Sequence, residues 1–363
     1  MASETSALKF CKAEEKDFEQ LMNVVAKVLR DGDSLHAEKY DMNKWRWKYY
    51  VMAYSEPRIY ICKEGEEIIG YYHCPVYRGT VNGVAKKFAM VQDVGMSEAA
   101  RGKGVFSKLA TYATNDLKSS DINVLYTFPN DKSIHTFIKY NGYSKIQTLS
   151  TFILPVKFGN IIAAKIKLLG IEKLIGGVMD GVYSLKTPSL KNKFSIKLEE
   201  KITPEIVEVF LDFGKRFKIT LTRDYDYLHW RFEQKPHGKH YFFTASEGEK
   251  IVAVAVISVE DLLGSKAAVI IDFAVRGDND EAFAQLINHI RKNYKNYFDE
   301  PIGMFYTSTI SNNETLFKKA GFIKIPERIN PRALHLLGNN VSENENVLDA
   351  GNWNITLSEW DVL

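Results

Sequence analysis

The chain has 363 residues, of which 45% are hydrophobic and 26% charged. That is the composition of an ordinary globular protein and excludes disordered and collagen-like classes. With 48 basic against 45 acidic residues the net charge is +3, too balanced to attract nucleic acid by bulk electrostatics.

In chain order, 8–11 reads as a short strand. Residues 15–29 read as an amphipathic helix with Phe18, Leu21, Met22, Val25 and Val28 at helical spacing. The N-terminus ahead of them lacks the basic and apolar regions of a signal peptide. Three β-rich runs follow at 58–62, 68–76 and 88–96, separated by glycine-containing turns. A helix is expected at 105–117, with Val105, Phe106, Leu109, Ala113 and Leu117 on its apolar face, then a strand at 124–128 and a helix at about 132–141. A strand pair is expected over 143–154. Residues 158–182 are the most lipophilic stretch, but Lys165, Lys167, Glu172, Lys173 and Asp180 speak against a membrane span. They read as a bridging helix. Cysteine is scarce (Cys11, Cys62 and Cys74, with no CxxC), so a reducing cytoplasm is expected rather than a disulfide scaffold.

The second half repeats the first. Lys44-Trp45-Arg46-Trp47 is echoed by His229-Trp230-Arg231-Phe232, and Gly65-Glu66-Glu67-Ile68-Ile69-Gly70 by Gly248-Glu249-Lys250-Ile251-Val252-Ala253. Asp93 lines up with Asp272, Leu109 with Leu286, and Asn141-Gly142-Tyr143 with Ala320-Gly321-Phe322. The order holds throughout and the separation drifts by only a few residues, which marks two copies of one α/β unit. The domains are expected at 1–155 and 194–363, with a helical connector at 156–193.

The segment with most chemistry is Arg101-Gly102-Lys103-Gly104-Val105-Phe106. It stands between a strand and an amphipathic helix. Glycines let backbone N–H groups converge, the helix N-terminus adds partial positive charge, and two cations flank it: a cradle for a pyrophosphate. In the second copy the aligned residues are Asp278-Asn279-Asp280-Glu281. Net charge is +2 over 98–108 and −2 over 276–285, so the second loop caps its own helix and repels a phosphate.

Arg101-Gly102-Lys103-Gly104 before a helix, then Leu125-Tyr126-Thr127-Phe128, a helix and Asn141-Gly142-Tyr143, resembles the GNAT-type N-acetyltransferases. The resemblance covers about 7–155 and, more weakly through the repeat, 194–337. Arg101 and Gly104 match the pyrophosphate motif of that family, while Phe106 stands where it has a small residue. The wording around the loop is similar to a bacterial branch associated with polysaccharide biosynthesis. The resemblance implies an α/β fold of two tandem domains, each a mixed twisted sheet flanked by helices. It also implies acetyl-CoA as acyl donor and no metal. The implied acyl-donor set is Val94, Gly95 and Met96 on the splayed strand, Arg101, Gly102, Lys103, Gly104, Val105 and Phe106 in the loop, and Asn130 and Ser133 beyond it.

Acetyl transfer to an amine needs a polarised carbonyl, a neutral amine and a proton for the thiolate. The tyrosine that many family members use as acid is replaced here by Ile138. His135, whose ordinary pKa of about 6.5 suits proton transfer near neutrality, and Tyr140 are the candidate acids. Asp93 is the candidate base. Trp45, Trp47, Tyr49, Tyr50 and Tyr54 sit where the family places acceptor-site helices, and aromatic faces can clasp a sugar or a cationic amine. His237 and His240 lack a third ligand for a metal site.

The expected function is acetyl-CoA-dependent N-acetylation of a primary amine on a small molecule, an amino sugar among the candidates, in the cytoplasm. No nucleic-acid partner or stable membrane insertion is expected. The oligomeric state stays open, a homodimer included. The alternatives are a tRNA-dependent aminoacyl transferase of GNAT-like fold, which also pairs two such domains, and a non-catalytic acyl-CoA-binding module.

Overall fold

The computed structural model describes residues 7–31, 41–51, 58–131, 133–156, 193–262, 265–330, 333–340 and 346–360. The expected connector and Tyr54 lie outside the described residues. The first half runs β1 (Leu8–Lys12), α1 (Phe18–Asp31), α2 (Met42–Tyr50), β2 (Arg58–Glu64), β3 (Glu67–Cys74), β4 (Val76–Val81) and β5 (Val84–Met96). It continues with α3 (Val105–Lys118), β6 (Val124–Thr127), α4 (Ile134–Asn141), β7 (Ser144–Thr148) and β8 (Ser150–Pro155). Pro75 has no N–H for a ladder. It therefore separates β3, which pairs with the carboxyl half of β5, from β4, which pairs with the amino half.

The second half runs β9 (Ser195–Glu199), α5 (Pro204–Gly214), β10 (Ile219–Leu221) and a short helical turn α6 (Tyr225–Leu228) that continues through His229–Glu233. Then come β11 (Tyr241–Glu247), β12 (Lys250–Leu262), β13 (Ser265–Val275), α7 (Asp280–Lys292), β14 (Met304–Thr309), α8 (Glu314–Lys319), β15 (Ile323–Ile325), β16 (His335–Asn340) and β17 (Trp353–Asn354). The strands form two mixed sheets. The parallel pairs β5–β6 and β13–β14 occupy equivalent places in the two copies.

One expectation is corrected. Residues 143–154 do not form a strand pair: β7 and β8 follow one another but enter different sheets. β8 pairs with β14 on one side and β15 on the other. Reciprocally, β16 of the second copy pairs with β6 and β7 of the first. Each copy thus inserts its last long strand into its partner's sheet. β8 is buried along its whole length, so it needs a neighbour on both edges and cover on both faces, which a terminal hairpin would not supply.

The repeat register is corrected too. Trp47 stacks on Trp230 at 4.9 Å and 14°. Trp47 Nε1 donates to the Trp230 carbonyl oxygen at 2.8 Å, and Trp230 Nε1 to that of Trp47 at 2.9 Å. This reciprocal pair sits on the pseudo-two-fold relation between copies and makes Trp47, not Trp45, the counterpart of Trp230. Trp45, Trp47 and Tyr49 are 1–2% exposed. They are core, because α2 is wedged between the first sheet and the second copy.

Candidate active site

β5 and β6 pair only over Phe88–Val91 and Val124–Thr127. Thr127 Oγ1 makes a further bond at the end, donating to the Val91 carbonyl oxygen at 2.8 Å. Beyond it Pro129 cannot donate to a ladder, β6 stops, and β5 continues alongside β3 to Met96. At the divergence Asp93 adopts a positive φ of 47° as the extra residue of a bulge in β5. A cavity of about 230 Å³ opens between the strands, walled among others by Gln92, Asp93, Val94, Thr127, Phe128 and Trp360. Both amide atoms of Gln92 are buried without a hydrogen-bond partner. Such orphaned groups are costly unless a ligand or water meets them.

The loop from β5 to α3 carries Gly102 at φ 73° and Gly104 at φ 65°, conformations that glycine adopts without strain. A Cβ at Gly102 would meet nothing within 4 Å, and one at Gly104 only Lys108 Cε at 3.9 Å, so the space over the loop is open. Val105, Phe106 and Ser107 begin α3, and the helix itself offers their N–H groups no acceptor. The flanking cations are already paired. Lys103 Nζ lies 2.6 Å from Glu64 Oε1 and 2.7 Å from Oε2, and Arg101 lies 3.4 Å from Glu98. Lys108, which the motif reading passed over, donates to the Lys103 carbonyl oxygen at 3.3 Å.

The candidate site residues divide. Val94, Phe106, Asn130 and Ser133 line the splay cavity with Asp93. Asn130 Oδ1 accepts from both the backbone N and the hydroxyl of Ser133 at 3.0 Å, fixing the start of α4. Met96 and Arg101 line a neighbouring cavity of about 440 Å³ against α1. Gly95 has a packing reason, since a Cβ there would stand 2.3 Å from the hydroxyl of Tyr71 across the β3–β5 pair. His135 is exposed and Tyr140 is 52% exposed. Phe137, not either of them, walls the cavity from α4.

Asp93 is anchored from α2. Lys48 Nζ lies 2.7 Å from Asp93 Oδ2, with side-chain exposures of 2% and 20%, and the Tyr49 hydroxyl donates to the same oxygen at 2.6 Å. Burial pushes this carboxyl up, but the Lys48 ammonium outweighs it and holds the group well below the usual carboxylate range. His73 packs edge-on to Tyr49 at 4.7 Å. It is wholly buried and neither ring nitrogen has a hydrogen-bond partner. Burial, reinforced by Lys48 against the pull of Asp93, lowers its pKa to about 3, so it is neutral. Sequence reading missed Lys48, His73, Gln92 and Trp360. Only Lys48, one of three cations interleaved with the aromatics of α2, carried a local signal.

In the second copy the equivalent aspartate is sealed. Arg223 Nε lies 2.7 Å from Asp272 Oδ2, and its Nη2 2.6 Å from Glu359 Oε1, with exposures of 2% or less. The first turn of α7 carries its own acids, Asp280 paired to Lys319 at 2.6 Å and Glu281 accepting from Gln285 at 3.4 Å. The expected capping is not made, since the helix has no side-chain cap hydrogen bond, but the negative charge remains. Among the described residues no group of three or more His, Cys, Asp or Glu could hold a metal ion, and no helix is long and apolar enough to cross a membrane.

Comparison with known proteins finds a family match over part of the chain and a likeness in fold over most of it. Residues 9–145 match the model described as an acetyltransferase (GNAT) domain. No curated protein matches the chain. Among solved structures, a probable N-acyltransferase from Enterococcus faecalis aligns with TM-score 0.64 at 12% identity, covering 92% of this chain and 73% of that one. A GCN5-related N-acetyltransferase from Anabaena variabilis gives 0.62 at 12% identity, covering 93% and 73%. A tandem GNAT protein from the clavulanic acid biosynthesis pathway gives 0.56 at 12% identity, covering 93% of this chain and all of that one. At such identity these structures show the shared fold alone.

Proposed function

We propose that this chain, a tandem protein of the GNAT-type N-acetyltransferase superfamily, moves the acetyl group of acetyl-CoA to a primary amine on a small molecule, at the first copy alone. The observation that carries the reading is the 230 Å³ gap between β5 and β6, with orphaned Gln92 in its wall and the open N-terminus of α3 at its mouth. An amide-containing pantetheine arm is the chemistry that would satisfy Gln92 and the unpaired edge of β5. The first-turn N–H groups at Val105, Phe106 and Ser107 suit its pyrophosphate. The residues present therefore fit acetyl-CoA.

In the proposed reaction the acceptor nitrogen attacks the thioester carbonyl carbon, the C–S bond breaks, and the sulfur leaves as thiolate. Backbone N–H groups of β5 near Val94 polarise the carbonyl oxygen as charge develops on it. Asp93, kept ionised by Lys48 and Tyr49, faces the cation that forms on the attacking nitrogen. The nitrogen's proton passes to water at that carboxylate, and water in the open cavity returns one to the thiolate. The acceptor class, an amino sugar included, belongs to this proposal. Lack of a side-chain acid at exposed Ile138 supports one competitor, a non-catalytic acyl-CoA-binding module.

The test is to incubate the protein with acetyl-CoA and a panel of amino sugars and small amines, following free thiol and acetylated product. Stoichiometric thiol and N-acetyl product with at least one acceptor supports the transferase. Saturable CoA binding without thiol release across the panel favours the binding module.

A further inference from the structure

In the second copy β13 and β14 diverge as β5 and β6 do, their parallel pairing confined to Ala267–Val269 with Met304–Tyr306. The gap there is filled by the chain's own C-terminal segment. The Ile355 carbonyl oxygen accepts from Thr309 Oγ1 at 2.7 Å and from the backbone N of Ile310 at 3.3 Å. Thr356 Oγ1 donates to Asp272 at 3.0 Å. Residues 355–359 are at most 3% exposed. Two buried arginines clamp the segment: Arg223 through Glu359 at 2.6 Å, and Arg231 through the carbonyl oxygens of Ser358 at 2.8 Å and Trp360 at 3.3 Å. The last residue held by the clamp is Trp360, which also lines the first copy's cavity.

That cavity is lined by residues of both cores. One end is formed by Phe106 of α3 and Phe137 of α4, beside the glycine loop; Phe106 packs with the α3 face of the sheet. Trp360 packs with the other, larger core and shares the wall with Gln92 and Asp93. A donor whose phosphates sit at the α3 N-terminus would therefore bring its acyl end toward Trp360. We infer that Trp360 is a specificity-determining residue that closes the acyl end of the first site against chains longer than acetyl. Arg223, Arg231 and Glu359 act as positioning residues that hold it there from the second copy. The inference rests on the reading of the first copy as an acyl-CoA site.

The experiment measures equilibrium binding of CoA, acetyl-CoA and hexanoyl-CoA to the full chain and to Trp360→Ala, with Trp360→Leu as a second variant should the first fail to fold. The expected result is at least ten-fold preference for acetyl-CoA over hexanoyl-CoA in the parent chain. The variant should lose most of that preference while its affinity for CoA itself stays within about two-fold. A folded variant that binds CoA with an unchanged preference, or a parent chain without preference, overturns the inference and leaves the function standing. A parent chain that does not bind CoA overturns both.

Discussion

Lys48 is a cation with 2% of its side chain exposed, 2.7 Å from a carboxylate that faces the candidate cavity. A buried charge deprived of its partner costs about 3–5 kcal/mol, far more than a pair is worth at a surface. Asp93→Asn should therefore lower unfolding free energy in urea by that order. The double variant Lys48→Met with Asp93→Asn should recover more than half of it. If the single variant loses less than about 1 kcal/mol, the pair does not hold the site. The sequence singles out Asp93 and the glycine loop because both carry local signatures. It does not reveal that α2 delivers Lys48 and Tyr49 to that aspartate, since their meeting depends on how α2 packs on the sheet. The same limit applies to Lys103, whose charge reads as free in sequence yet is held by Glu64 at the end of β2. Glu64→Gln should release it toward an incoming phosphate and tighten CoA binding several-fold at low salt. The gain should fade as ionic strength rises, because the pair is solvent-exposed. An unchanged or weakened affinity at low salt would contradict that role.

Among the elements, β8 depends most on contacts that its own neighbourhood cannot supply. Its first residue is tied to the second copy by Ser150 Oγ, which donates to Glu314 Oε1 at 2.7 Å. Glu314 also accepts from Lys318 at 3.0 Å and Lys324 at 2.5 Å. Burial pushes this carboxyl up, but these donors outweigh it and bring it down to about 2 from an ordinary 4.5. Because the folded value is the lower one, the stabilisation is complete above pH 4.5 and fades as pH falls toward 2. Its size is at most about 3.5 kcal/mol, from some 1.4 kcal/mol per unit. The stability difference between the parent chain and Glu314→Gln should accordingly shrink as pH is lowered from 6 to 3. A difference that stays constant would assign Glu314 no such part. Most elements were legible from periodicity: α3 begins at Val105 as its apolar spacing requires, and β2, β3 and β5 stand where the β-rich runs do. The partners of β8 were not. The run Phe152-Ile153-Leu154 announces a strand buried on both faces, and says nothing about which sheet receives it.

At the scale of the whole chain, the exchange of β8 and β16 and the Trp47–Trp230 stack make the two copies one cooperative body. Residues 1–156 alone lack the strand that separates β6 from β7 and should stay aggregated or poorly folded, with structure returning when 193–363 is supplied in trans. A monomeric, cooperatively melting N-terminal fragment would contradict the exchange. The duplication was visible in sequence through its repeated motifs. Its asymmetry was visible only at the loops, where Arg101-Gly102-Lys103-Gly104 faces Asp278-Asn279-Asp280-Glu281. The deeper asymmetry, that residues 355–359 fill the second gap, could not be read in advance because the segment has no counterpart motif.

The central claim is that one copy offers a donor site while the other is filled by the chain itself, and calorimetric titration of the full chain with CoA tests it most directly. A single site per chain is expected, weakened in an α3 N-terminal variant such as Gly104→Asp and unaffected by Asp280→Asn. Two sites per chain, no binding, or one site that survives Gly104→Asp and disappears with Asp280→Asn would contradict it.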